Sequence, residues 1–246
     1  MNGESVFSAF REEDSKHFLA IKDNEISAIM GHPTTATSIT DLSRDFSKRN
    51  RGQQEFVAYN LSHEWKIATL AAAIPIANQN SNVFEIGSSF GLSSIHYSHL
   101  VKSRDLTPGT PVSRLIAVEK QRAFLKNAKQ LQKICREYAG EIKYVSDDGI
   151  AYLRKALQNG DLVFSSLATS SVIEGILELS RKRSFSFVVS YSQSNRDIVR
   201  RHCGKHFEDI IDSSKYDIFP FDDKEYHTHV IDDVRRMGVL AQMIRR

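Results

Sequence analysis

The stretch Asn82–Ser94, NVFEIGSSFGLSS, joins a short apolar run to a turn that contains two glycines. A carboxylate, Glu85, stands just before this turn, and Gly87 and Gly91 lie within it. Glycine tolerates positive φ and has no Cβ, so such a turn lets a ligand approach the main chain closely. The start of the following helix would direct free N–H groups at the same point, which favours an anionic group. We therefore predict a ligand-binding turn here.

The chain beyond this turn alternates apolar strands with amphipathic helices. The predicted strands are Val83–Ile86, Arg114–Glu119, Ile142–Ser146, Asp161–Leu167 and Ser184–Ser192. The predicted helices are Leu92 to about Lys102, 121–139, 149–160 with Gly160 at its C-cap, and Ser171–Lys182. Such a series indicates parallel strands joined by right-handed crossovers, with helices on both faces of the sheet. The fold class predicted is α/β, a doubly wound, Rossmann-like, mostly parallel sheet of seven strands.

The two ends of the chain depart from this alternation. Near the C-terminus, the runs KYDIFPFDD and MGVLAQMIRR are separated by the polar stretch Asp222–Met237. We predict that the two runs form an antiparallel hairpin at the sheet edge. Residues 1–60 have a helical pattern and are interpreted as a cap over one face of the sheet, with the ligand-binding domain at 61–246.

Composition and charge restrict the partners of the 246-residue chain. The net charge is +3, and basic runs such as Arg181–Arg183 are short, so they are interpreted as solvated surface. The longest apolar run, 67–77, contains Pro75 and is shorter than the roughly 20 residues of a bilayer span. The first twenty residues lack the apolar core of a secretory signal. We expect a cytoplasmic protein with no nucleic-acid partner and no membrane partner. The sequence is compatible with a homodimer.

The opening stretch resembles a motif of a known family. VFEIGSSFGLSS is similar to the first motif of class I S-adenosylmethionine-dependent methyltransferases, E/D-x-G-x-x-x-G. The continuation Gly91-Leu92-Ser93 is similar to that of the small-molecule O-methyltransferases. A dinucleotide site would instead want G-x-G-x-x-G, and Ser89 stands where that fingerprint has its second glycine. The resemblance implies S-adenosylmethionine as the cofactor and a small-molecule acceptor, with transfer to oxygen.

The resemblance also implies roles for individual residues. It places Glu85 near the ammonium group of the cofactor and Ser93 on its carboxylate. The methionine part would lie beside the turn residues Gly87, Ser88, Ser89 and Gly91. Glu119, at the end of the second strand, would accept the ribose hydroxyls, as a single carboxylate can. In SDDGIAYL, Asp148 would contact the adenine amino group, and Gly149 would lie beside the ring.

Three of these acids have a purely structural alternative. Glu85 could cap the helix that follows the turn. Glu119 could be an ordinary acid at a strand end. Asp148 precedes a helix and is a good N-cap whatever the function.

The sequence departs from the metal-dependent O-methyltransferases in the residues that hold the metal: the Asp-Asn pair that follows the fifth strand there is replaced by SYSQSN here. Ser166 stands where those enzymes carry a metal-binding aspartate, and a hydroxyl does not replace a carboxylate for a hard cation. We therefore expect no catalytic metal. The catalytic residue is left unassigned, with His63, Ser166 and Tyr191 as candidates. A non-catalytic relative that binds the cofactor or a partner is the alternative function.

Overall fold

The computed structural model describes residues 69–70, 73, 81–89, 91–103, 114–136, 140–166, 168–203, 217–221, 224–231 and 237–244. The predicted cap at 1–60 and His63 lie outside these residues. Of the helical pattern that precedes the first strand, Leu70 and Ala73 are described, and both are helical and fully buried.

The described strands form one sheet with the order β3-β2-β1-β4-β5-β8-β7-β6. Strands β1 to β5 pair in parallel, whereas β6, β7 and β8 are antiparallel to their neighbours. The strands are β1 Val83–Ile86, β2 Leu115–Val118, β3 Ile142–Val145, β4 Leu162–Ser165, β5 Ser186–Tyr191, β6 Asp217–Phe221, β7 Lys224–Ile231 and β8 Met237–Ile244.

Helices connect the parallel strands, as the alternating pattern predicts. They are α1 Leu92–Ser103, α2 Arg122–Ile134, α3 Gly149–Ala156, α4 Ser170–Ser180 and α5 Arg196–Cys203. Helix α5, together with a 3-10 turn at Gln193–Asn195, follows β5 in a stretch for which the sequence predicts no element. Within the described ranges, none of the helices is long and apolar enough to cross a membrane.

Helices cover both faces of the parallel sheet, which confirms the doubly wound arrangement. Successive side chains of a strand point to opposite faces. In β1, Phe84 and Ile86 join a buried cluster with Leu153 of α3. In β4, Phe164 packs on Tyr97 of α1, with 5.3 Å between the ring centroids. Helices α1 and α2 therefore lie on one face, and α3 and α4 lie on the other.

The antiparallel edge differs from the prediction. The sheet has eight strands rather than seven, because β7 lies within the stretch that was interpreted as a polar connection. The two predicted runs do not pair with each other, since β7 pairs with both β6 and β8. In KEYHTHVI, residues of high strand propensity recur at every second position, at Tyr226, Thr228 and Val230. This period of two, and not the mean polarity, was the informative signal.

The end of α3 also differs from the prediction. The helix ends at Ala156, and its C-cap residue Leu157 is extended, so Gly160 does not cap it. Gly160 instead has φ +85° in the turn that enters β4. Its N–H donates a hydrogen bond of 2.7 Å to the carbonyl of Ser184, just before β5.

A buried carboxylate holds the starts of β1 and β4 together. Asp161 is 3% exposed. Its Oδ1 accepts a hydrogen bond from the Asn82 N–H at 2.9 Å, and its Oδ2 accepts one from the Gln158 N–H at 2.7 Å. Burial raises the pKa of Asp161, and the hydrogen bonds from Gln158 and Asn82 oppose that rise. The carboxylate therefore gives two main-chain donors, one on each side of the β1–β4 pair, a hydrogen-bond partner.

We expect Asp161→Ala to lower the free energy of unfolding by about 3 kcal/mol, because it removes charged hydrogen bonds and leaves two main-chain donors unpaired. Urea denaturation measures this change. Glu141→Ala, which truncates an exposed acid, is the matched control and should change stability by less than about 0.5 kcal/mol. Equal losses in both variants would contradict the assigned role of Asp161.

Candidate functional site

The predicted site residues gather at the carboxyl ends of the parallel strands. Sequence order reverses between β1 and β4, so the crevice of a doubly wound sheet opens there. A buried hydrogen bond of 2.7 Å, from the Ser165 Oγ to the Ile86 carbonyl, joins the ends of these two strands. Ser165 was not among the predicted site residues. Its signal was its position, as the last residue of an apolar strand.

The turn after β1 has an unusual main-chain conformation. Gly87, Ser89 and Gly91 have φ values of +71°, +49° and +88°. Such left-handed conformations are easy for glycine and costly for other residues. Ser89 thus adopts a glycine-like conformation at the position where a dinucleotide fingerprint has a glycine. The N–H groups of Gly87 and Ser88 both donate to the Val118 carbonyl, at 2.9 and 3.2 Å, which fixes the turn to the end of β2.

The two glycines of the turn serve different purposes. A Cβ on Gly91 would lie 2.8 Å from the Cβ of Ala128, so this glycine lets the turn pack against α2. A Cβ on Gly87 would meet no atom within 4 Å. Gly87 is also exposed. Gly91 is therefore needed for packing, whereas a side chain at Gly87 would face open space.

Glu119 connects the end of β2 to the turn. Its Oε2 accepts a hydrogen bond of 2.9 Å from the N–H of Ser89, and its Oε1 accepts one of 2.8 Å from the N–H of Gln121. Glu119 is 8% exposed. A carboxylate has about four acceptor positions, so each of its oxygens can accept one more hydrogen bond. Glu119 can therefore fix the turn and still accept two ligand hydroxyls.

Glu85 lies deeper than the other acids of the site. Phe84 and Ile86 face α3 and α4, so Glu85 faces α1 and α2, where it is 1% exposed. Its carboxylate accepts a hydrogen bond from the hydroxyl of Ser94, in the first turn of α1. Burial, and then the negative charge of Glu85, raise the pKa of the Tyr144 phenol. This hydrogen bond connects β1 to the first turn of α1; because its donor is a side-chain hydroxyl and not a main-chain N–H, it is not itself a helix cap.

Two serines of the motif are buried at the start of α1. Ser88 is fully buried, and Ser93 is 1% exposed. The Ser88 Oγ has no hydrogen-bond partner among the described residues. A buried hydroxyl without a partner costs about 1–3 kcal/mol, so this position favours a bound polar group. The free N–H groups at the start of a helix favour a negatively charged one.

Asp148 and Gly149 lie at the carboxyl end of β3, where α3 begins. Asp148 is the N-cap of α3, and its Oδ1 accepts a hydrogen bond of 2.9 Å from the N–H of Ala151, as the structural alternative predicted. The residue is exposed. A Cβ on Gly149 would overlap the side chain of Ile86, so packing of α3 on β1 explains this glycine. Neither feature excludes contact with a ligand.

Two candidate catalytic residues lie at the ends of β4 and β5. The Ser166 Oγ is covered and has no hydrogen-bond partner within the described part of the chain. Tyr191 is the last residue of β5 and is 3% exposed. The described residues contain no group of three or more His, Cys, Asp or Glu side chains that could hold a metal ion.

Comparison with solved structures identifies the fold. A candidate O-methyltransferase from Klebsiella pneumoniae is 12% identical, with a TM-score of 0.51 over 93% of this chain and 90% of that chain. An rRNA methylase from Streptococcus thermophilus is 9% identical, with a TM-score of 0.50 over 73% of this chain and 95% of that chain. No family model and no curated protein matches the sequence. At these identities the likeness concerns the fold alone, which is that of the class I methyltransferases.

The two glycines provide a test of the geometry of the turn. We expect Gly91→Ala to destabilise the protein by about 2–4 kcal/mol, because left-handed strain adds to the overlap with Ala128. Gly87→Ala should cost only the strain, about 1–2 kcal/mol. Urea denaturation of both variants measures the difference. Equal losses, or a larger loss for Gly87→Ala, would contradict the packing described here.

Proposed function

We propose that the crevice binds S-adenosylmethionine and that the protein transfers its methyl group to a small-molecule acceptor, at oxygen. The observation that carries this proposal is the left-handed turn after β1, fixed by Glu119 through the N–H of Ser89. It supplies open main chain at Gly87 and spare carboxylate acceptors a short distance away. The amino-acid part of the cofactor would lie against the open main chain, and the ribose hydroxyls would donate to the carboxylate.

The described residues fit the cofactor group by group. In our proposal, the turn from Gly87 to Gly91 and the start of α1 hold the amino-acid end. The unpaired hydroxyl of Ser88 and the hydroxyl of Ser93 then provide hydrogen bonds to its carboxylate. Glu119 accepts the two ribose hydroxyls with its remaining acceptor positions. Asp148, whose Oδ2 is not used by the helix cap, accepts from the adenine amino group, with Gly149 beside the ring.

Glu85 acts on the ammonium group mainly through its charge. Its carboxylate is buried under the turn and held by Ser94, so it orients α1 while it contributes a negative potential at the site. Electrostatic effects of a buried charge are screened little by solvent. Glu85 would thus have two roles, one in the packing of α1 and one toward the ligand.

The reaction would take place at the ends of β4 and β5. When bound, S-adenosylmethionine would supply an electrophilic methyl group: the acceptor oxygen would bond to its carbon as the carbon–sulfur bond breaks, which leaves S-adenosylhomocysteine and releases the hydroxyl proton to solvent. In our proposal Ser166 and Tyr191, at the carboxyl ends of β4 and β5, line the acceptor pocket and orient the acceptor hydroxyl. Because Ser166 replaces the expected metal-binding aspartate, we propose that transfer needs no catalytic metal.

A non-catalytic cofactor-binding protein is the second candidate. The observation that favours it is the chemistry of the crevice, where the described side chains at the ends of β4 and β5 are hydroxyls, such as Ser165, Ser166 and Tyr191. A general base with a pKa near neutrality is not among them. Binding alone would not separate the two candidates, whereas methyl transfer would.

We expect S-adenosylhomocysteine to bind the protein with micromolar affinity in calorimetric titrations. Gly87→Asp should abolish binding, because its side chain fills the open space of the turn and repels the ligand carboxylate. Glu119→Gln should weaken binding by about tenfold or more, because charged hydrogen bonds to the ligand are lost. Glu141→Gln, at an exposed acid outside the crevice, should bind normally. No binding by the folded wild-type protein would refute the proposal.

We expect methyl transfer from labelled S-adenosylmethionine into a metabolite extract to proceed equally with and without excess chelator. The reason is that hydroxyls replace the metal-binding carboxylate in the crevice. Scintillation counting of the extracted product measures the rate. A rate abolished by chelator would contradict the metal-independent mechanism, and intact cofactor binding without any transfer would favour the non-catalytic alternative.

A further inference from the structure

Helix α2 carries a row of cations on its exposed side. We call Arg122, Lys126, Lys129 and Lys133 the basic row, and all four are exposed. Their spacings of four, three and four residues place them within an arc of about 60° and over a length of about 16 Å. The opposite side of the helix is buried against the sheet through Phe124, Leu125, Ala128 and Leu131.

No carboxylate compensates the basic row. Within the described residues, none of its four members takes part in an ion pair, and the sequence between Glu119 and Glu137 contains no acid. Helix α4 differs, because its Glu178 pairs with Lys182 at 2.6 Å and with Arg154 at 3.5 Å. The stretch 114–136 has seven basic and one acidic side chain, a net charge of +6, whereas the whole chain has +3.

The basic row weakens the helix that carries it. Like charges three or four residues apart repel by about 0.2–0.5 kcal/mol per pair. Arg122 also opens the helix at the end where the macrodipole is positive, and the first turn contains no acid. The N-cap residue, Gln121, makes no side-chain cap bond. An external polyanion would remove this repulsion.

We propose that the basic row is a docking surface for a single strand of RNA, held through its phosphates. Phosphate and sugar contacts are made by Lys, Arg, Gln and Asn and need no apolar surface. Gln130, which lies beside the row, is exposed and suits them. A protein partner would need aromatic or aliphatic anchors, and a membrane would need an apolar face. The only exposed apolar side chain on α2 is Ala123, among the side chains described there.

The shape of the row favours one strand over a duplex. A single narrow line of positive charge can track one sugar-phosphate backbone. The row begins at Arg122, three residues after Glu119, so a bound strand would start beside the crevice. Binding does not depend on the proposed methyl transfer, because it involves none of the cofactor-binding residues.

Fluorescence anisotropy with a labelled 12-nucleotide oligouridylate and the full chain tests the proposal, with cofactor absent. We expect the logarithm of the association constant to fall linearly with the logarithm of the salt concentration. The slope should be about −2.8, which corresponds to four phosphate contacts on a single strand. K126Q/K129Q should reduce the slope to about −1.4 and weaken binding at low salt by about tenfold or more. Double-stranded DNA and phosphatidylserine vesicles should compete poorly.

The control variant is K155Q/K182Q, which removes the same charge from exposed lysines of α3 and the end of α4. It should bind RNA as the wild type does. The proposal would be overturned if the full chain bound no RNA at low salt, or if both variants lost the same RNA affinity. It would also be overturned if duplex DNA or vesicles displaced the labelled RNA more effectively than unlabelled RNA does. Melting curves check that both variants are folded, and K129Q/K133Q replaces K126Q/K129Q if that variant is not. Because cofactor is absent from this assay, failure of the protein to bind S-adenosylhomocysteine would not alter the expected RNA binding.

Discussion

The hydrogen bond between the Glu119 carboxylate and the N–H of Ser89 is the interaction on which the site depends. It connects the end of β2 to a turn that leaves β1, and it holds a non-glycine residue in a left-handed conformation. Strain of this kind persists only where the surroundings fix it, and here a buried charge and two further main-chain bonds to Val118 do so. The turn is therefore ordered before any ligand arrives, which lowers the entropy cost of binding.

The parallel half of the fold could be predicted from the sequence because its signals are local. Val83–Ile86 is a short apolar run before a glycine turn, and β1 has the same bounds. The antiparallel edge was predicted less well, because the polarity of 224–231 concealed a strand period. Gly160 was misassigned because the conformation that suits a helix cap also suits the turn into β4. Only the pairing register of β4 and β5 shows that Gly160 belongs to the turn into β4 and not to a helix cap.

The positions of the candidate site residues in the fold could be predicted in outline, and their contacts could not. The acids and glycines of the motif lie together at the carboxyl ends of the strands, but that Glu85 is held by Ser94 depends on the packing of α1 on the sheet. The expectation of no nucleic-acid partner considered only contiguous basic runs, and so it missed the basic row on α2. Its members are three and four residues apart, so they form no contiguous run, and the excess of charge emerges only on the surface of a helix.

Strand β3 ends the sheet on its parallel side, and this position affects how copies of the protein meet. The strand has four residues, and Lys143 at its centre is exposed. Short length and a lysine are the means by which edge strands avoid pairing with another chain. Two copies aligned along this edge would bring their lysines close together and repel each other. These two features would disfavour extension of the sheet by a second copy at β3.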